Sequence, residues 1–347
     1  MTNVTIGMDL GDRNHEVCVL DQEGNMIDRF TVGNTRKQLQ KLFAQYKGAL
    51  VAMETGTHSP WISRELEALG CRVLVGNARK LRMIWARSQK TDVKDAEMLA
   101  RIARFDPQLL YPIRHRSRQK QIDLEQIKAR DLLVRLRTNL INHIRGTVKS
   151  IGERLPSCSA DSFHKRAQTF LPDCLRSAVM PLVDQIASLT QQVRGYDHEI
   201  ERLASEVYPE TICLRQIQGV GLITSVAFIL TLESPDRFDK SRAVGPHLGL
   251  TPRKDQSGRT DKQLRISKEG DVYLRRLLVS CAQYILGRYG QDSDLRRYGE
   301  RLIARGGRGA KCKAVVAVAR KLAVLLHRLW STGEVYQRLY NAQEEAA

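Results

Sequence analysis

The chain has 347 residues, of which 42% are hydrophobic, so it can form two or three domains with buried cores. Its 56 Lys and Arg outnumber its 38 Asp and Glu, and the resulting net charge of +18 favours a polyanionic partner, with nucleic acid the first candidate. We find no long apolar run and no apolar segment behind a basic N-terminus, which argues against membrane insertion and secretion.

The cysteines indicate the redox compartment. There are seven, an odd number, and none belongs to a Cys-x-x-Cys pair. This pattern argues against a disulfide framework and against a zinc site. We therefore expect reduced thiols, buried as small apolar side chains, in a cytoplasmic protein.

The first predicted element is a strand over residues 4–11, a short apolar run that carries Asp9. A carboxylate inside a buried strand costs on the order of several kcal/mol unless a cation or hydrogen-bond donors compensate it. We favour a metal ion as the compensation at Asp9.

The rest of the first domain, residues 1–112, reads as an α/β layer. Predicted strands over 16–20 and 26–32 complete an antiparallel meander with the first. A helix over 35–46 leads to a fourth strand, 49–54, which again ends in a carboxylate, Glu54. A helix over 61–69 and a strand over 71–75 follow, and ligand sites in such sheets gather at the strand ends.

Residues 90–100 predict a helix that starts with two acidic side chains. Thr91 or Asp92 can cap it, and the spacing of Asp92 and Asp95 puts both carboxylates on one face, where they repel unless a cation lies between them. The alternative is a solvated helix start, in which the helix dipole and Lys90 and Lys94 offset the charge.

Taken together, Asp9, Glu54, Asp92 and Asp95 resemble the metal-binding carboxylates of the ribonuclease H-like fold, in its RuvC-like branch. Two divalent cations about 4 Å apart would clamp the oxygens of a phosphodiester, which implies phosphoryl transfer. Residues 9–14 also resemble the first phosphate loop of actin-like and sugar-kinase ATPases. That interpretation fits less well, because a long helical stretch follows where a second phosphate loop is needed.

A basic segment precedes the acidic helix. It can follow a phosphate backbone, with Trp85 among the charges, or it can be a solvated cationic face. The nucleic-acid-binding residues predicted here are Arg79, Lys80, Arg82, Arg87 and Lys90.

The middle segment, residues 113–210, predicts two long helices. The first continues to about residue 154, with an apolar side at Leu133, Leu136, Leu140, Ile144, Val148 and Ile151. The second carries apolar residues at alternating spacings of four and three from Leu182 to Val207, the heptad seam of a coiled coil. The seam can pair within one chain or with another protomer, and the pattern does not choose between them.

The C-terminal domain, residues 211–347, is predicted to be mostly helical. Gly219 and Gly221 precede an apolar helix over 222–232, as in a helix-hairpin-helix whose backbone amides approach a phosphate. The pair Ser257-Gly258 follows in a basic stretch before a helix over 273–285. The nucleic-acid-binding residues predicted in this stretch are Arg253, Lys254, Arg259, Lys262 and Arg265.

In chain order, these features resemble the DEDD transposases of the insertion-sequence one-ten (IS110) family. The resemblance rests on the four carboxylates, the Thr-Asp-x-x-Asp-Ala string at 91–96, the helix-hairpin-helix, the Gly-Leu-x-Pro stretch at 249–252, the Ser257-Gly258 pair and the closing run at 311–322. His247 departs from the family pattern, because family members more often have an aromatic residue at this position, just before Gly249.

The resemblance implies a RuvC-like domain, a coiled-coil insert and a mostly α transposase domain. It implies that Ser257 is a nucleophile and that Asp9, Glu54, Asp92 and Asp95 bind Mg²⁺, as two ions. It also implies recombination of donor and target DNA directed by a structured non-coding (bridge) RNA. The resemblance further implies a prokaryotic homo-oligomer, a dimer or tetramer joined through the coiled coil, that is nucleoid-associated when active.

Two other functions remain open on the sequence alone. A RuvC-like metal nuclease would hydrolyse branched DNA with the four carboxylates and without Ser257. A non-catalytic basic protein would bind DNA, with Asp9 a satisfied buried acid and the seam at 182–207 as the dimer contact.

Overall fold

The computed structural model describes residues 4–81, 91–258 and 260–340, without the side chains of Thr260 and Gln263. The chain divides into two compact units, Met1–Arg116 and Ser117–Ala347. The segments predicted as the helical and C-terminal domains share the second unit. Each unit is described by itself.

The first unit contains a five-stranded sheet and three α-helices within its described residues. Its elements are β1 (Thr5–Leu10), β2 (Asn14–Leu20), β3 (Met26–Gly33), α1 (Arg36–Phe43), β4 (Leu50–Glu54), α2 (Ser59–Ala68), β5 (Arg72–Gly76) and α3 (Asp92–Phe105).

The sheet is mixed, with the strand order β3-β2-β1-β4-β5. Strands β1, β2 and β3 are antiparallel neighbours, because short turns join them, and β4 and β5 continue the sheet in parallel with β1. This order confirms the predicted mixed α/β fold and is consistent with a ribonuclease H-like N-terminal domain.

The two faces of the sheet are covered differently. On one face, Ile6 and Met8 of β1 pack in a cluster with Leu39 of α1 and Ile62 of α2. On the other face lies α3, whose Ala96 clusters with residues of β2. Because successive side chains of a strand point to opposite faces, β1 serves both layers and is fully buried along its first four residues.

The second unit is mostly helical. Its elements are α4 (Arg118–Ser150), α5 (Phe163–Phe170), α6 (Asp173–Arg202), α7 (Thr211–Arg215), α8 (Leu222–Leu232), α9 (Val244–His247), β6 (Pro252–Ser257), β7 (Thr260–Ile266), α10 (Val272–Ile285), α11 (Asp294–Ala304) and α12 (Ala310–Thr332). No helix within the described ranges is long and apolar enough to cross a membrane.

The long helices α4 and α6 pair with each other inside one chain. Ile144 and Val148 of α4 are buried against Val183 and Ile186 of α6. Of the two pairings that the heptad pattern allowed, the structure has the hairpin within one chain. The apolar seam is therefore buried without a second protomer.

The apolar side predicted for α4 is partly wrong. Leu136 is 45% exposed, whereas its neighbour Arg137 is buried and faces the seam. The guanidinium of Arg137 forms an ion pair with Asp161 at 2.6 Å and donates a hydrogen bond to the Thr190 hydroxyl at 3.3 Å. These polar partners compensate the buried charge, so the pattern of apolar residues alone misassigned this turn of the helix, although it placed Ile144 and Val148 correctly.

The predicted seam also ends earlier than expected. Residues Leu203–Val207 form a π-helical turn, and Val207 is 47% exposed. A π turn changes the angle between successive side chains, so the last heptad position leaves the seam. Tyr208, next in the chain, is buried instead and donates a hydrogen bond to Asp123 at 2.6 Å.

Candidate functional site

Gly7 brings α3 onto β1. A Cβ on Gly7 would lie under 3.0 Å from both the carbonyl oxygen of Ala96 and the amide nitrogen of Ala100. Only a residue without a side chain permits this backbone-to-backbone approach. The first turns of α3 are therefore held directly above the centre of the sheet.

The direction of α3 follows from its C-terminal half. Arg101 donates a hydrogen bond to the carbonyl of Gly24 at 3.4 Å, and Arg104 donates one to the carbonyl of Gln22 at 3.1 Å. Both carbonyls belong to the turn after β2, which lies at the N-terminal end of β1 because the two strands are antiparallel. The first turn of α3 therefore points toward the C-terminal end of β1, where Asp9 lies.

Asp9 and Glu54 lie on the same face of the sheet. Gly7 of β1 and Ala52 of β4 are register partners, and Ala52 clusters with Leu99 of α3. Asp9 and Glu54 each follow two residues later in parallel strands, so both point to the side that α3 covers. Each of the two residues is half-buried.

The remaining two carboxylates stand in the first turn of α3. Thr91 is the N-cap, and its side chain accepts a hydrogen bond from the amide of Lys94, so of the two candidate caps, Thr91 and Asp92, the structure has Thr91. Asp95 is only 7% exposed, on the side of the helix that faces the sheet. Asp92 lies one turn earlier and is exposed.

The four side chains are suited to a divalent cation by their chemistry. Carboxylate oxygens are the ligands that Mg²⁺ prefers, and Asp9, Glu54 and Asp95 come from three elements that meet at one end of one sheet face. Within residues 4–81, 91–258 and 260–340, no three His, Cys, Asp or Glu side chains are already arranged to bind one ion.

A fifth carboxylate lies beside Asp9, and the sequence reasoning missed it. Glu16 of β2 is the direct register partner of Asp9, and the Thr31 hydroxyl donates a hydrogen bond to its Oε1 at 2.8 Å. Two like charges opposite each other across strands are destabilising. The alternation of β2, which buries Val17 and Val19 on the opposite face from Glu16, was the signal that could have revealed it.

Ser257 is the last residue of β6, in a two-stranded hairpin with β7. It pairs with Thr260 across the turn, where Gly258 has a positive φ of 56°. The whole of β6 is exposed, so the Ser257 hydroxyl is accessible to a large substrate. Arg259, predicted to contact nucleic acid, lies outside the described residues.

The base of this hairpin is tightly built. A Cβ on Gly249 would lie under 3.0 Å from backbone atoms of Glu269, and one on Gly270 would lie equally close to the carbonyl oxygen of His247. The buried guanidinium of Arg275 donates hydrogen bonds to the carbonyls of Leu248 at 2.9 Å and Glu269 at 2.6 Å. The exposed end of the hairpin, which carries Ser257, is therefore attached to a closely packed base.

The glycine turn lies between α7 and α8, as predicted. Gly219 has a positive φ of 95°, and a Cβ there would meet the ring of Tyr284. Gly221 is the N-cap of α8 and is exposed, with open space where a side chain would be. The turn thus leaves room for a phosphate at the start of α8.

Most of the predicted nucleic-acid-binding cations that the structure describes are on the surface. Arg79 and Lys80 are exposed after β5, and Lys80 lies over the Tyr111 ring at 4.7 Å. The hairpin cations Arg253, Lys254, Lys262 and Arg265 are exposed as well. The other predicted residues of the basic segment, Arg82, Trp85, Arg87 and Lys90, lie outside the described residues.

Two family models match the chain. A model of DEDD transposases of the IS110 type, with the description "Transposase", matches residues 6–153, and a model of the "Transposase IS116/IS110/IS902 family" matches residues 212–299. Similar proteins include the transposase for insertion sequence element IS1111A of Coxiella burnetii, 26% identical over 96% of this chain and 91% of the relative. The transposase for insertion sequence element IS1328 of Yersinia enterocolitica is 28% identical over 97% of this chain and 100% of the relative. A probable family 20 transposase of Pseudomonas aeruginosa is 26% identical over 96% of this chain and 98% of the relative.

Proposed function

The chain belongs to the IS110 family of transposases, enzymes that cut and rejoin DNA, and we propose that it recombines DNA through a covalent bond to Ser257. The observation that carries the proposal is the position of Asp9, Glu54 and Asp95 at one end of one sheet face, with an exposed serine on a separate hairpin. Acidic ligands and a nucleophile together suit strand exchange better than hydrolysis, which needs no serine.

In this proposal, Asp9, Glu54, Asp92 and Asp95 hold divalent metal, namely two Mg²⁺ ions. When bound, the metal polarises the scissile phosphate and offsets negative charge on its oxygens. The family relationship supports use of a divalent metal in general. The burial of Asp95 and the half-burial of Asp9 favour tight placement of their carboxylates.

Ser257 supplies the nucleophile. Its Oγ attacks the phosphorus of the scissile phosphodiester as its proton departs, the bond to the DNA leaving oxygen breaks, and that oxygen takes up a proton. The phosphoserine bond keeps the energy of the broken bond, so a hydroxyl of another strand can reverse the step and rejoin the DNA. Arg253, Lys254 and Lys262, exposed on the same hairpin, offset the charge on the phosphorus centre.

DNA is the partner that the family relationship supplies, and the remaining partners belong to the proposal. We expect a structured guide RNA that pairs with donor and target DNA, and a homo-oligomer in which Ser257 of one protomer meets the carboxylates of another. Gly219 and Gly221 would bind a phosphate through the amides of α8. The cytoplasm, in association with the nucleoid, is the expected location.

A covalent adduct tests the proposal. Purified protein, incubated with Mg²⁺ and labelled DNA carrying the element end, should give a protein–DNA band that resists denaturant and that Ser257→Ala abolishes. Ser267→Ala, at the base of the same hairpin, is the matched control and should retain the adduct.

Three other outcomes refute the proposal. An adduct that persists in Ser257→Ala refutes the nucleophile. Free 5′-phosphate ends with indifference to Ser257 would instead indicate a hydrolytic nuclease. Binding without any strand breakage, unchanged in Asp9→Asn, would indicate a non-catalytic DNA-binding protein.

A further inference from the structure

A continuous stretch near the C-terminus carries only positive charge. Between Glu300 and Glu334 the sequence has no Asp or Glu. Its cations are Arg301, Arg305, Arg308, Lys311, Lys313, Arg320, Lys321 and Arg328. It is the longest stretch of the chain without an acidic residue.

Acidic residues pair with the cations near the two ends of this stretch. Arg296 pairs with Glu300 at 2.8 Å and Arg297 pairs with Asp292 at 2.7 Å. Further on, Arg328 pairs with Glu334 at 3.0 Å. These arginines are therefore occupied with structural ion pairs.

The cations between them are not paired in this way. Five exposed residues, Arg301, Arg305, Arg308, Lys311 and Lys313, run from the last turn of α11 through the connecting loop into the first turn of α12. Within the described part of the chain, none of the five forms an ion pair or a side-chain hydrogen bond. We call this set the α11–α12 corner.

The α11–α12 corner lies on two closely packed helices. A Cβ on Gly299 would lie under 3.0 Å from Leu286 and from Val318, so α11 is packed closely on α12. Ala314 and Val318 bury the opposite side of α12 in the core. Charges on such a support lose less entropy on binding than charges on a free tail.

Between its two arginines, the loop presents bare backbone. Gly306, Gly307 and Gly309 all have positive φ values, and nothing lies within 4 Å of where a Cβ would be. A ligand can therefore approach the main chain between the arginines. The groups offered are cations and backbone amides, which match phosphate oxygens.

We propose that the α11–α12 corner binds the phosphate backbone of duplex DNA, independently of the sites of cutting. Single strands are usually held by aromatic side chains that stack on bases, and there is no Phe, Tyr or Trp between Tyr298 and Trp330. On the outside of a duplex the phosphates are the groups that a protein meets first, and the cations and amides of this surface can bind them. The proposal rests on DNA as the substrate class, but it needs neither Ser257 chemistry nor metal.

Salt-dependent binding tests it with the full chain. A Ser257→Ala protein, freed of nucleic acid and kept in chelator, is titrated with a short fluorescent DNA duplex at several salt concentrations. Replacing Arg308, Lys311 and Lys313 by Gln should weaken binding at moderate salt about tenfold and make the slope of log Kd against log salt shallower by about 2–3. Because catalysis is disabled throughout, failure of the phosphoserine proposal leaves this measurement intact.

Matched variants isolate the effect of position from that of charge. Replacing Lys37, Lys41 and Lys47 by Gln removes the same charge from exposed positions of the first unit and should leave the slope almost unchanged. The exchanges Arg308→Lys, Lys311→Arg and Lys313→Arg keep the charge and should restore wild-type binding. Equal losses in the corner and control variants, or an unchanged slope in the corner variant, overturn the proposal.

A duplex RNA of the same sequence is the second probe. We expect the corner variant to lose DNA affinity whether or not RNA affinity also falls. Loss of RNA binding with intact DNA binding overturns the proposal and assigns the surface to RNA instead. Circular dichroism and the melting temperature, unchanged in every variant, ensure that folding does not cause the difference.

Discussion

Gly7 and Ala96 are in backbone contact: the carbonyl oxygen of Ala96 lies under 3.0 Å from the point where a Cβ of Gly7 would stand. This contact fixes the distance between β1, which carries Asp9, and α3, which carries Asp95. The geometry of the candidate metal site thus depends on a residue that has no side chain to offer as a ligand.

Gly7→Ala should therefore damage the first unit. The added methyl must push α3 away from the sheet, and we expect a loss of about 3 kcal/mol or more in the free energy of unfolding. Gly56→Ala, where a Cβ meets nothing within 4 Å, is the control and should change stability little. Urea unfolding of both variants measures this, and equal stabilities would refute the close contact.

Two other glycines distinguish the base of the serine hairpin from its tip. Gly249→Ala should cost more than Gly258→Ala, although both residues have positive φ, because the methyl at 249 meets Glu269 and the methyl at 258 meets open space. We expect about 1–2 kcal/mol at Gly258, from backbone strain alone, and several kcal/mol at Gly249. Thermal unfolding orders the variants, and a larger loss at Gly258 would be inconsistent with a fixed base.

Arg137 and Asp161 should show the asymmetry of a buried charge. Asp161→Ala leaves a guanidinium whose side chain is only 9% exposed without its carboxylate, and we expect a loss of about 1–2 kcal/mol, since Asp161 itself is half-exposed. Arg137→Met removes the charge from the α4–α6 seam and should cost less than Asp161→Ala. A double-mutant cycle measures the coupling, and the proposed asymmetry fails if Arg137→Met is the more harmful change.

The stability of the second unit should fall in mild acid because of His327. The ring is 2% exposed, its Nε2 donates to the Pro235 carbonyl, and burial lowers its pKa. Its Nδ1 can therefore accept a hydrogen bond from the Ser241 hydroxyl at 3.0 Å.

A folded-state pKa below that of the unfolded chain means that the unfolded chain binds protons first. The stabilising effect is then complete above about pH 6.5, the ordinary value for His, and declines as the pH falls below it. Unfolding in urea from pH 8 to pH 5 should show this decline, and His327→Gln should remove part of it. The exposed His198→Gln is the control, and an identical decline in all three proteins would exclude His327 as the cause.

The sequence predicted the parts of the fold that depend on local pattern. Residue periodicity predicts the apolar strand around Asp9 and the alternation of strand and helix up to β5, and the structure has both. Capping chemistry predicts a helix start at Thr91 or Asp92, and the structure has Thr91 as the cap. The family resemblance, which depends on the order of motifs along the chain, is confirmed.

Features set by tertiary contacts were not predictable in the same way. The role of Gly7 depends on which helix lies on β1, and the proximity of Glu16 to Asp9 depends on strand register. The burial of Arg137 depends on partners at positions 161 and 190, far away in the chain. An apolar pattern cannot reveal a polar residue that is buried because distant residues satisfy it.

Metal binding without turnover tests the central claim most directly, namely that acidic residues of β1, β4 and α3 form one metal site. Titration calorimetry with Mn²⁺, in the absence of DNA, should detect binding to the wild-type chain that Asp9→Asn and Asp95→Asn each abolish. Glu97→Gln, two residues further along α3 and paired with Arg101, should retain it. If Asp9→Asn binds Mn²⁺ as tightly as wild type, or if the wild type does not bind it, the account is contradicted.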